Sequence, residues 1–319
     1  MTIAVAGAGA FGTALAIAEA LAGREVILWG RDPAAIEEAS RTRRTARLPQ
    51  AELPEGVRLT SSLDDLAGAE AVLLAVPAQA LRPFLAEAPM LAGSPLVACA
   101  KGIDLATVTG PTALIEDAFP GTPAAVLTGP SFAADIAKGL PTALTLACAD
   151  ETCSEHLQHS LSTPNLRLYR STDVTGAELG GALKNVMAIA CGAAMGAELG
   201  ESARAALLTR GFAEMQRLAL ALGARAETLA GLSGFGDLVL TATSPGSRNY
   251  RYGLAIGARE TFDPSVTVEG AATAGAALAL SRRIGVDLPI TAAVAALVAG
   301  EAEVSDVLAG LLSRPLKEE

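Results

Sequence analysis

The chain has 319 residues, a formal net charge of -10, 51% hydrophobic residues and 18% charged residues. This length allows two domains, each with its own hydrophobic core, and the apolar content is typical of a globular protein rather than a disordered one. The negative charge argues against broad binding of nucleic acid, although a pocket that gathers a few basic side chains can still bind a phosphate.

The sequence does not predict secretion or insertion into a membrane. Its apolar start lacks a basic leader, and no other uncharged stretch is long enough to span a bilayer. The four cysteines have no paired spacing, which favours reduced thiols. We therefore expect a cytoplasmic protein.

The first residues predict a dinucleotide-binding turn. Residues 2–6 read as a buried strand, the motif G-A-G-A-F-G follows with glycines at Gly7, Gly9 and Gly12, and a helix is expected over residues 13–22. In this order the glycines let the backbone approach a pyrophosphate, whose charge is met by the N-terminus of the helix. The alternative is a tight turn with a structural role only.

The second strand, predicted over residues 25–29, ends near two residues with opposite implications for the cofactor. An acidic side chain there would bind the ribose hydroxyls of NAD, whereas an arginine would favour the 2'-phosphate of NADP. Asp32 precedes Pro33 and can be explained as the cap of the next helix. Arg31 therefore favours NADP, with NAD left open.

Three further apolar strands are predicted at residues 71–76, 96–100 and 124–128. In a doubly wound parallel sheet, ligands bind at the carboxyl ends of the strands. Lys101 follows the second of these strands and a Gly-Pro-Ser turn follows the third, so we expect both at one edge of the sheet. Ser131 in that turn is expected to cap the next helix and to leave free amides for an anion.

Lys184 is unusual because it interrupts an apolar helical run over residues 175–195. The chain's 24 basic residues comprise twenty arginines and only four lysines. Lysine can release its proton when desolvated, whereas arginine cannot, so Lys184 is a candidate for proton transfer. The alternative is a side chain whose stem lies on apolar surface while its amine reaches solvent. Gly180 and Gly181 leave one face of this helix open to close approach.

Helical patterns dominate from residue 173, so we predict a dinucleotide-binding domain over residues 1–172 and an all-helical domain over residues 173–319. Further helices are expected over residues 203–222, 268–283 and 291–299, and residues 231–249 are expected to form a polar, Gly-rich loop region that binds a ligand.

The spacing Cys153-x-x-His156-x-x-His159 superficially resembles a metal site. These are the only two histidines, and no fourth ligand stands nearby, so a solvated helix surface is the favoured interpretation and no metal is expected. No histidine is then left for acid-base chemistry, which makes the lysines the remaining candidates.

Nine short motifs along the chain resemble, in their order, those of a known protein family. They are G-A-G-A-F-G-T-A-L-A from Gly7, A-V-P from Ala75, K-G-I from Lys101, L-T-G-P-S-F-A from Leu127, G-L-P-T-A from Gly139, G-A-L-K-N-V from Gly181, G-D-L from Gly236, S-R-N from Ser247 and V-E-G from Val268. With these motifs the chain resembles NAD(P)-dependent glycerol-3-phosphate dehydrogenases of the bacterial type over nearly its whole length.

The resemblance implies reversible reduction of dihydroxyacetone phosphate to sn-glycerol 3-phosphate for phospholipid synthesis. It implies an N-terminal Rossmann domain of α/β type, an all-α C-terminal domain, an active site in the cleft between them and a possible homodimer. By motif position the catalytic residues would be Lys184, Lys101 and Asp237. Substrate would be held by Lys101, Gly129, Ser131, Asp237, Ser247, Arg248 and Asn249. Cofactor would be bound by Gly7, Gly9, Ala10, Phe11, Gly12, Arg31, Lys101, Ala133, Arg248 and Glu269.

Two segments depart from the family pattern. Residues 42–49 read T-R-R-T-A-R-L-P where the family more often has Arg, Asn and an aromatic residue, and Ala242 replaces a cysteine. Two other functions stay open: a dehydrogenase of the same plan acting on a hydroxy acid or another sugar phosphate, and a nicotinamide-binding redox sensor. Retention of two lysines and Asp237 argues against a sensor, which needs no proton donor.

Overall fold

The fold is taken from a computed structural model that describes residues 2–313. Its β-strands form one eight-stranded sheet with the order β3-β2-β1-β4-β5-β6-β7-β8. The strands are β1 (Thr2–Ala6), β2 (Glu25–Trp29), β3 (Val57–Thr60), β4 (Ala71–Leu74), β5 (Leu96–Ala98), β6 (Ala124–Thr128), β7 (Thr142–Cys148) and β8 (Leu166–Ser171).

The sheet is parallel except where β7 runs antiparallel to β6. Strand β1 pairs with β2 on one side and β4 on the other, so the chain reverses its winding direction at β1. In such a sheet the crevice at the carboxyl ends of the strands beside that reversal is the place where ligands bind.

Both faces of the sheet are covered, which explains the continuous apolar runs of its central strands. Along β1, Ile3 and Val5 face one hydrophobic cluster, whereas Ala4 and Ala6 face another. All four are fully buried. The period-two alternation of side chains therefore supplies two core layers from one strand.

The helices before residue 174 flank the sheet, and those after it follow without strands in the described residues. The helices are α1 (Ala10–Leu21), α2 (Pro33–Thr42), α3 (Ala78–Glu87), α4 (Pro111–Ala118), α5 (Ala133–Ala137), α6 (Glu151–Leu161), α7 (Val174–Gly196), α8 (Glu201–Ala221), α9 (Ala226–Ala230), α10 (Asp237–Thr243), α11 (Arg248–Ala258), α12 (Glu269–Ile284), α13 (Pro289–Ala299) and α14 (Val304–Leu312). Short 3-10 turns lie at Leu63–Leu66 and Pro89–Leu91, and a π-helical turn lies at Leu232–Gly236.

The described residues divide into two compact units. The first holds the chain up to Lys101 together with Thr109–Glu178, and the second holds Gly102–Val108 together with the chain from Leu179 onward. The second unit has its own core of small and aliphatic side chains, built around α7. The domain ranges 1–172 and 173–319 stay a prediction.

The predicted α/β fold with a following helical part is confirmed. Strands β1, β2 and β6 have the predicted bounds, and β4 and β5 each end two residues earlier than predicted, whereas β3, β7 and β8 are absent from the prediction. Strand β8 alternates buried and exposed residues at the edge of the sheet, a weaker apolar signal than the buried strands give.

Helix α7 is the one described helix long and apolar enough to cross a bilayer. However, 83% of its apolar window is buried within the protein, as expected for the core helix of a folded domain.

Candidate active site

The turn between β1 and α1 has the geometry that a dinucleotide requires. Gly7 adopts φ +126°, and a Cβ there would lie 2.7 Å from the Ala75 carbonyl oxygen. A Cβ on Gly12 would overlap the Gly7 carbonyl oxygen, whereas one on Gly9 would meet nothing within 4 Å. Two glycines are thus required by packing, and the third leaves open space for a ligand.

Helix α1 begins at Ala10, earlier than the predicted Thr13, because the last glycine of the motif, Gly12, belongs to its first turn. Gly9 is the N-cap and offers no side chain to the first-turn amides. Ala10 and Phe11 lie in that turn, where backbone amides lack partners within the helix. This arrangement fits a pyrophosphate, so the residues present suit a nicotinamide dinucleotide.

At the carboxyl end of β2, Arg31 and Asp32 have different roles. The Asp32 carboxylate accepts hydrogen bonds from the amides of Ala34 at 3.0 Å and Ala35 at 3.4 Å, so it caps α2. Arg31 is exposed and has no hydrogen bond or ion pair within residues 2–313. The capping interpretation of Asp32 is confirmed, and an available cation lies beside it.

The arginine-rich segment after α2 is largely held by its own surroundings. Arg43 donates to the carbonyl oxygens of Leu53, Pro54 and Val57. Arg44 donates to the Pro49 carbonyl and pairs with Glu52, each at 3.0 Å. These two arginines close the loop back on itself.

Lys101 brings together three segments of the first unit. Its Nζ donates to the Gly129 carbonyl oxygen at 2.9 Å and lies 5.9 Å from the centroid of the Phe11 ring. The ends of β5 and β6 therefore meet at one edge, as predicted, and the dinucleotide turn lies beside them. A cation at this position can contact both a phosphate ligand and a cofactor.

The expected N-cap role of Ser131 is wrong. The N-cap of α5 is Phe132, and the Ser131 hydroxyl instead donates to the Gly129 carbonyl oxygen at 3.2 Å. Ala133 opens this helix, which has only five residues. The serine braces the turn that also holds Lys101, because both side chains donate to the same carbonyl oxygen.

In the second unit, Lys184 is buried and held by two polar side chains. Its Nζ donates to the Asp237 carboxylate and to the Thr241 hydroxyl, the latter at 2.8 Å. The exposed fractions of Lys184, Asp237 and Thr241 are 5%, 0% and 4%. The alternative of an amine reaching solvent is therefore wrong, and the ammonium is fixed in place as a hydrogen-bond donor.

Asp237 and Thr241 converge on the lysine because they lie one turn apart on α10. The Thr241 hydroxyl also lies 3.3 Å from Asp237 Oδ1. The expected loop over residues 231–249 is wrong here, since the segment contains a π-helical turn, α10 and the start of α11. The spacing Asp-x-x-x-Thr was the signal for Thr241, and a helical reading of it would have found this residue.

Gly180 makes room for protein rather than for a ligand. A Cβ there would lie 2.6 Å from the Ser233 carbonyl oxygen and 3.0 Å from Gly234 Cα. The backbone that approaches this face of α7 is thus the turn just before Asp237. The close approach predicted beside Lys184 exists, and its purpose is to bring the carboxylate to the amine.

The Ser-Arg-Asn segment opens α11. The Ser247 hydroxyl accepts a hydrogen bond from the Tyr250 amide at 3.2 Å and so caps the helix. Arg248 is exposed and has no hydrogen bond or ion pair in the described part of the chain, which suits an anion. Asn249 is buried and bonded to Asn185 and to the Gly270 amide. Glu269 precedes Gly270 as the first residue of α12.

The cysteines and histidines offer no competing chemistry at these positions. His156 and His159 are exposed on α6, as expected for a solvated surface. Burial raises the pKa of Cys99 to about 12 despite the charge of Lys101, and burial also raises the pKa of Cys191 to about 12. Thiols with such pKa values stay protonated and are poor nucleophiles.

Comparison with known proteins bears on the whole chain. The model of the N-terminal part of NAD-dependent glycerol-3-phosphate dehydrogenase matches residues 2–154, and the model of its C-terminal part matches residues 173–309. The chain belongs to the NAD-dependent glycerol-3-phosphate dehydrogenase family.

Individual members of this family align over their full length. The chain is 61% identical over 320 residues to a glycerol-3-phosphate dehydrogenase [NAD(P)+] of Paracoccus denitrificans, covering 100% of both chains. It is 62% identical over 321 residues to that of Cereibacter sphaeroides, covering 99% of this chain and 100% of the relative. A crystal structure of glycerol-3-phosphate dehydrogenase from Coxiella burnetii is 34% identical, with a TM-score of 0.93 and coverage of 98% and 99%. The chain is thus an NAD(P)-dependent enzyme of this family.

Within each unit, the structure assembles one part of the predicted site. The first unit joins Lys101 to Gly129, Ser131 and Phe11, and the second joins Lys184 to Asp237. The roles assigned to these residues by motif position stay predictions. Sequence reasoning missed Thr241 as a partner of Lys184 and Asn185 as a partner of Asn249.

Proposed function

We propose that the chain catalyses the reversible reduction of dihydroxyacetone phosphate to sn-glycerol 3-phosphate with NADPH or NADH, supplying the glycerol phosphate backbone of phospholipids. The observation that carries this proposal is the buried ammonium of Lys184, fixed by Asp237 and Thr241. A lysine in this setting is suited to exchange a proton with a carbonyl or alcohol oxygen. The family membership supports the choice of substrate.

Reduction of a ketone needs a proton at the oxygen where negative charge develops. Lys184 in its ammonium form donates that proton, and the amine takes it back in the reverse direction. Asp237 and Thr241 hold the nitrogen of the amine in position through their hydrogen bonds. The bound nicotinamide would supply or accept the hydride at the carbon of the same bond.

The phosphate of the substrate sets where the ketone lies. Arg248 presents an exposed guanidinium at the start of α11, with donors arranged for phosphate oxygens. Lys101 adds a positive charge from the edge of the sheet. Fixing one end of a substrate in this way can lower a barrier by ~7 to 11 kcal/mol.

The first experiment is a turnover assay with purified protein. NADPH or NADH should be oxidised when dihydroxyacetone phosphate is added, and much more slowly with a 2-oxo acid of similar size. Faster turnover of the 2-oxo acid would favour a hydroxy-acid dehydrogenase. Tight cofactor binding with no turnover of either compound would favour a redox sensor.

We propose NADPH as the preferred cofactor, because Arg31 is available and Asp32 is occupied as a helix cap. The substitution Arg31→Ala should lower kcat/KM for NADPH by roughly 10-fold or more, because it removes a charge-assisted hydrogen bond to the 2'-phosphate. The value for NADH should change by less than about 3-fold. Arg41→Ala, which removes an exposed pair with Glu38, is the matched control. Equal losses for both cofactors would contradict this role of Arg31.

We also propose that the enzyme works in the cytoplasm as a homodimer. Its four cysteines are free thiols and three of them are buried, which suits a reducing compartment. Light scattering on the purified protein would measure the assembly state, and a mass corresponding to one chain would contradict the dimer.

A further inference from the structure

Helices α7 and α11 of the second unit pack backbone against backbone. Two glycines on each helix, spaced one turn apart, face the other helix: Gly192 and Gly196 on α7, and Gly253 and Gly257 on α11. A Cβ on any of these four residues would overlap a carbonyl oxygen of the opposite helix. Because no side chain fits at these positions, the glycines set the separation of the two helices.

The same contacts fix the relative direction of the two helices. The residues that supply the carbonyl oxygens rise in number together with the glycines that they face: Tyr250 faces Gly192, Leu254 faces Gly196, Ile189 faces Gly253 and Ala193 faces Gly257. Helices α7 and α11 therefore run in the same direction, and they stay in close contact over more than one turn.

This register brings the start of α11 close to Lys184. Gly253 faces Ile189, and five residues earlier on the two helices stand Arg248 and Lys184. Because both helices rise by the same ~1.5 Å per residue, Arg248 and Lys184 lie within about one turn of the same level. The proposed phosphate anchor and the proposed proton donor are thus carried by adjacent helices, whose separation the glycines determine.

A substrate that contains both a phosphate and a ketone is sensitive to this separation. Its covalent bonds fix the distance between the two groups, so Arg248 and Lys184 must present their nitrogens at a matching distance. The partners of the Lys184 amine, Asp237 and Thr241, lie on α10 and not on α11. A shift of α11 would therefore move the phosphate anchor while the amine keeps its hydrogen bonds. A misplacement of ~1 Å can lower a rate by on the order of 100-fold.

We propose that Gly192 and Gly253 are positioning residues for the reaction proposed above, because they set the distance between Lys184 and Arg248. Both glycines are buried, and they form the part of the helix contact that lies closer to these two side chains. The inference rests on the proposed function, and it adds the backbone contact that makes the two ends of the substrate fit at once.

The first test compares dihydroxyacetone phosphate with dihydroxyacetone, which has the same ketone and no phosphate. Gly253→Ala forces α11 away from α7, so kcat/KM for the phosphate should fall by roughly 100-fold, and that for dihydroxyacetone by less than about 3-fold. A smaller folded fraction alone would lower both values by one factor and leave the preference for the phosphate unchanged. An unchanged preference in Gly253→Ala would overturn the proposal.

Inorganic phosphate separates the position of the anchor from the anchor itself. It should compete with dihydroxyacetone phosphate by binding Arg248. Its inhibition constant should change by less than about 3-fold in Gly253→Ala, which keeps the guanidinium, and should rise by roughly 10-fold or more in Arg248→Ala. Equal rises in both variants would mean that Gly253 serves the anchor and not its distance from Lys184. That result, or a lack of competition in the wild type, would defeat the inference.

Gly211→Ala is the matched control. A Cβ there would lie 2.6 Å from Met187 Sδ, so this variant disturbs the packing of α7 against α8 and not against α11. It should lose stability and keep the wild-type preference for the phosphorylated substrate. A fall in preference equal to that of Gly253→Ala would show that any disturbance of α7 has this effect, and the proposal would fail.

Gly257→Ala covers the case in which Gly253→Ala does not fold. Gly257 is half-buried and lies one residue before the end of α11, so this variant opens the helix contact from its far end. The preference for the phosphorylated substrate should fall by at least about 3-fold, and a wild-type preference would again reject the proposal. Wild-type protein that turns over neither compound would instead overturn the proposed function, and this inference with it.

Discussion

At the scale of single residues, the main feature of the second unit is the buried ion pair between Lys184 and Asp237. Two opposite charges are buried at this point, and removal of one partner from such a pair is strongly destabilising because the other charge stays buried. Lys184, the proposed proton donor, thus depends on the Asp237 carboxylate for its position.

Asp237→Asn should therefore lower both stability and turnover. We expect the free energy of unfolding to fall by about 3 to 5 kcal/mol, measured by urea denaturation. Thr241→Val keeps the charge pair and removes one hydroxyl, so its loss should be about 1 to 2 kcal/mol. Equal stability of Asp237→Asn and wild type would show that the pair does not hold the lysine.

Glu19 on α1 is a second buried charge, with a consequence for pH. Burial raises the pKa of Glu19 from 4.5 to about 7, although Arg24 beside it acts in the opposite direction. Its Oε1 has no hydrogen-bond partner among the described residues. The folded protein therefore holds this proton more tightly than the unfolded chain, and this contribution to stability is lost as pH rises from about 4.5 to 7.

Glu19→Gln should remove this dependence. Relative to the variant, the wild type should lose on the order of 3 kcal/mol of unfolding free energy between pH 4.5 and pH 7, and nothing further above that range. Other buried carboxyls, such as Glu178 and Glu214, are common to both proteins and cancel in the difference. Parallel stability curves for the two proteins would contradict the assigned role of Glu19.

At the scale of elements, the site depends on close contacts between backbones. Gly180 on α7 admits the turn at residues 232–236, and that turn starts the helix that carries Asp237 and Thr241. The geometry at Lys184 is thus determined one turn earlier, by the absence of a side chain.

Gly180→Ala should force the turn away from α7 and move Asp237 from the lysine. We expect a loss of about 1 to 3 kcal/mol in stability together with a fall in kcat, measured by thermal unfolding and steady-state kinetics. Gly275→Ala is the matched control, because a Cβ there meets nothing within 4 Å. The free energy of unfolding of Gly275→Ala should rise by about 0.5 to 1 kcal/mol, because alanine stabilises an exposed helical position relative to glycine. A wild-type kcat in Gly180→Ala would show that the close contact at Gly180 does not control the position of Asp237 at Lys184.

The sequence allowed prediction of those elements whose pattern is set by burial. The apolar runs of β1, β2 and β6 and the long helix α7 follow from composition alone. Helix α10 did not follow, because the glycine-rich segment before it resembles a loop. Ser131 failed as a cap because its hydroxyl donates to the Gly129 carbonyl, two residues before it, and not to an amide of α5.

At the scale of the whole molecule, each compact unit supplies different chemistry. The first carries the dinucleotide turn and Lys101, and the second carries the buried lysine and the exposed Arg248. Lys184 could be singled out from sequence because a lone lysine in an apolar helix is costly. Of the two hydrogen-bond partners of its amine, Asp237 is predicted from the sequence, whereas Thr241 is missed because the helix that carries both was expected to be a loop.

The central claim is that Lys184 moves the proton, and one pair of measurements tests it most directly. In Lys184→Ala, the kcat for reduction of dihydroxyacetone phosphate should fall by roughly 100- to 10,000-fold, while the dissociation constant for NADPH changes by less than about 3-fold. Lys138 is the C-cap residue of the short helix α5 and serves as the control. Lys138→Ala should leave both values unchanged. A Lys184→Ala enzyme that keeps the wild-type kcat would contradict the account.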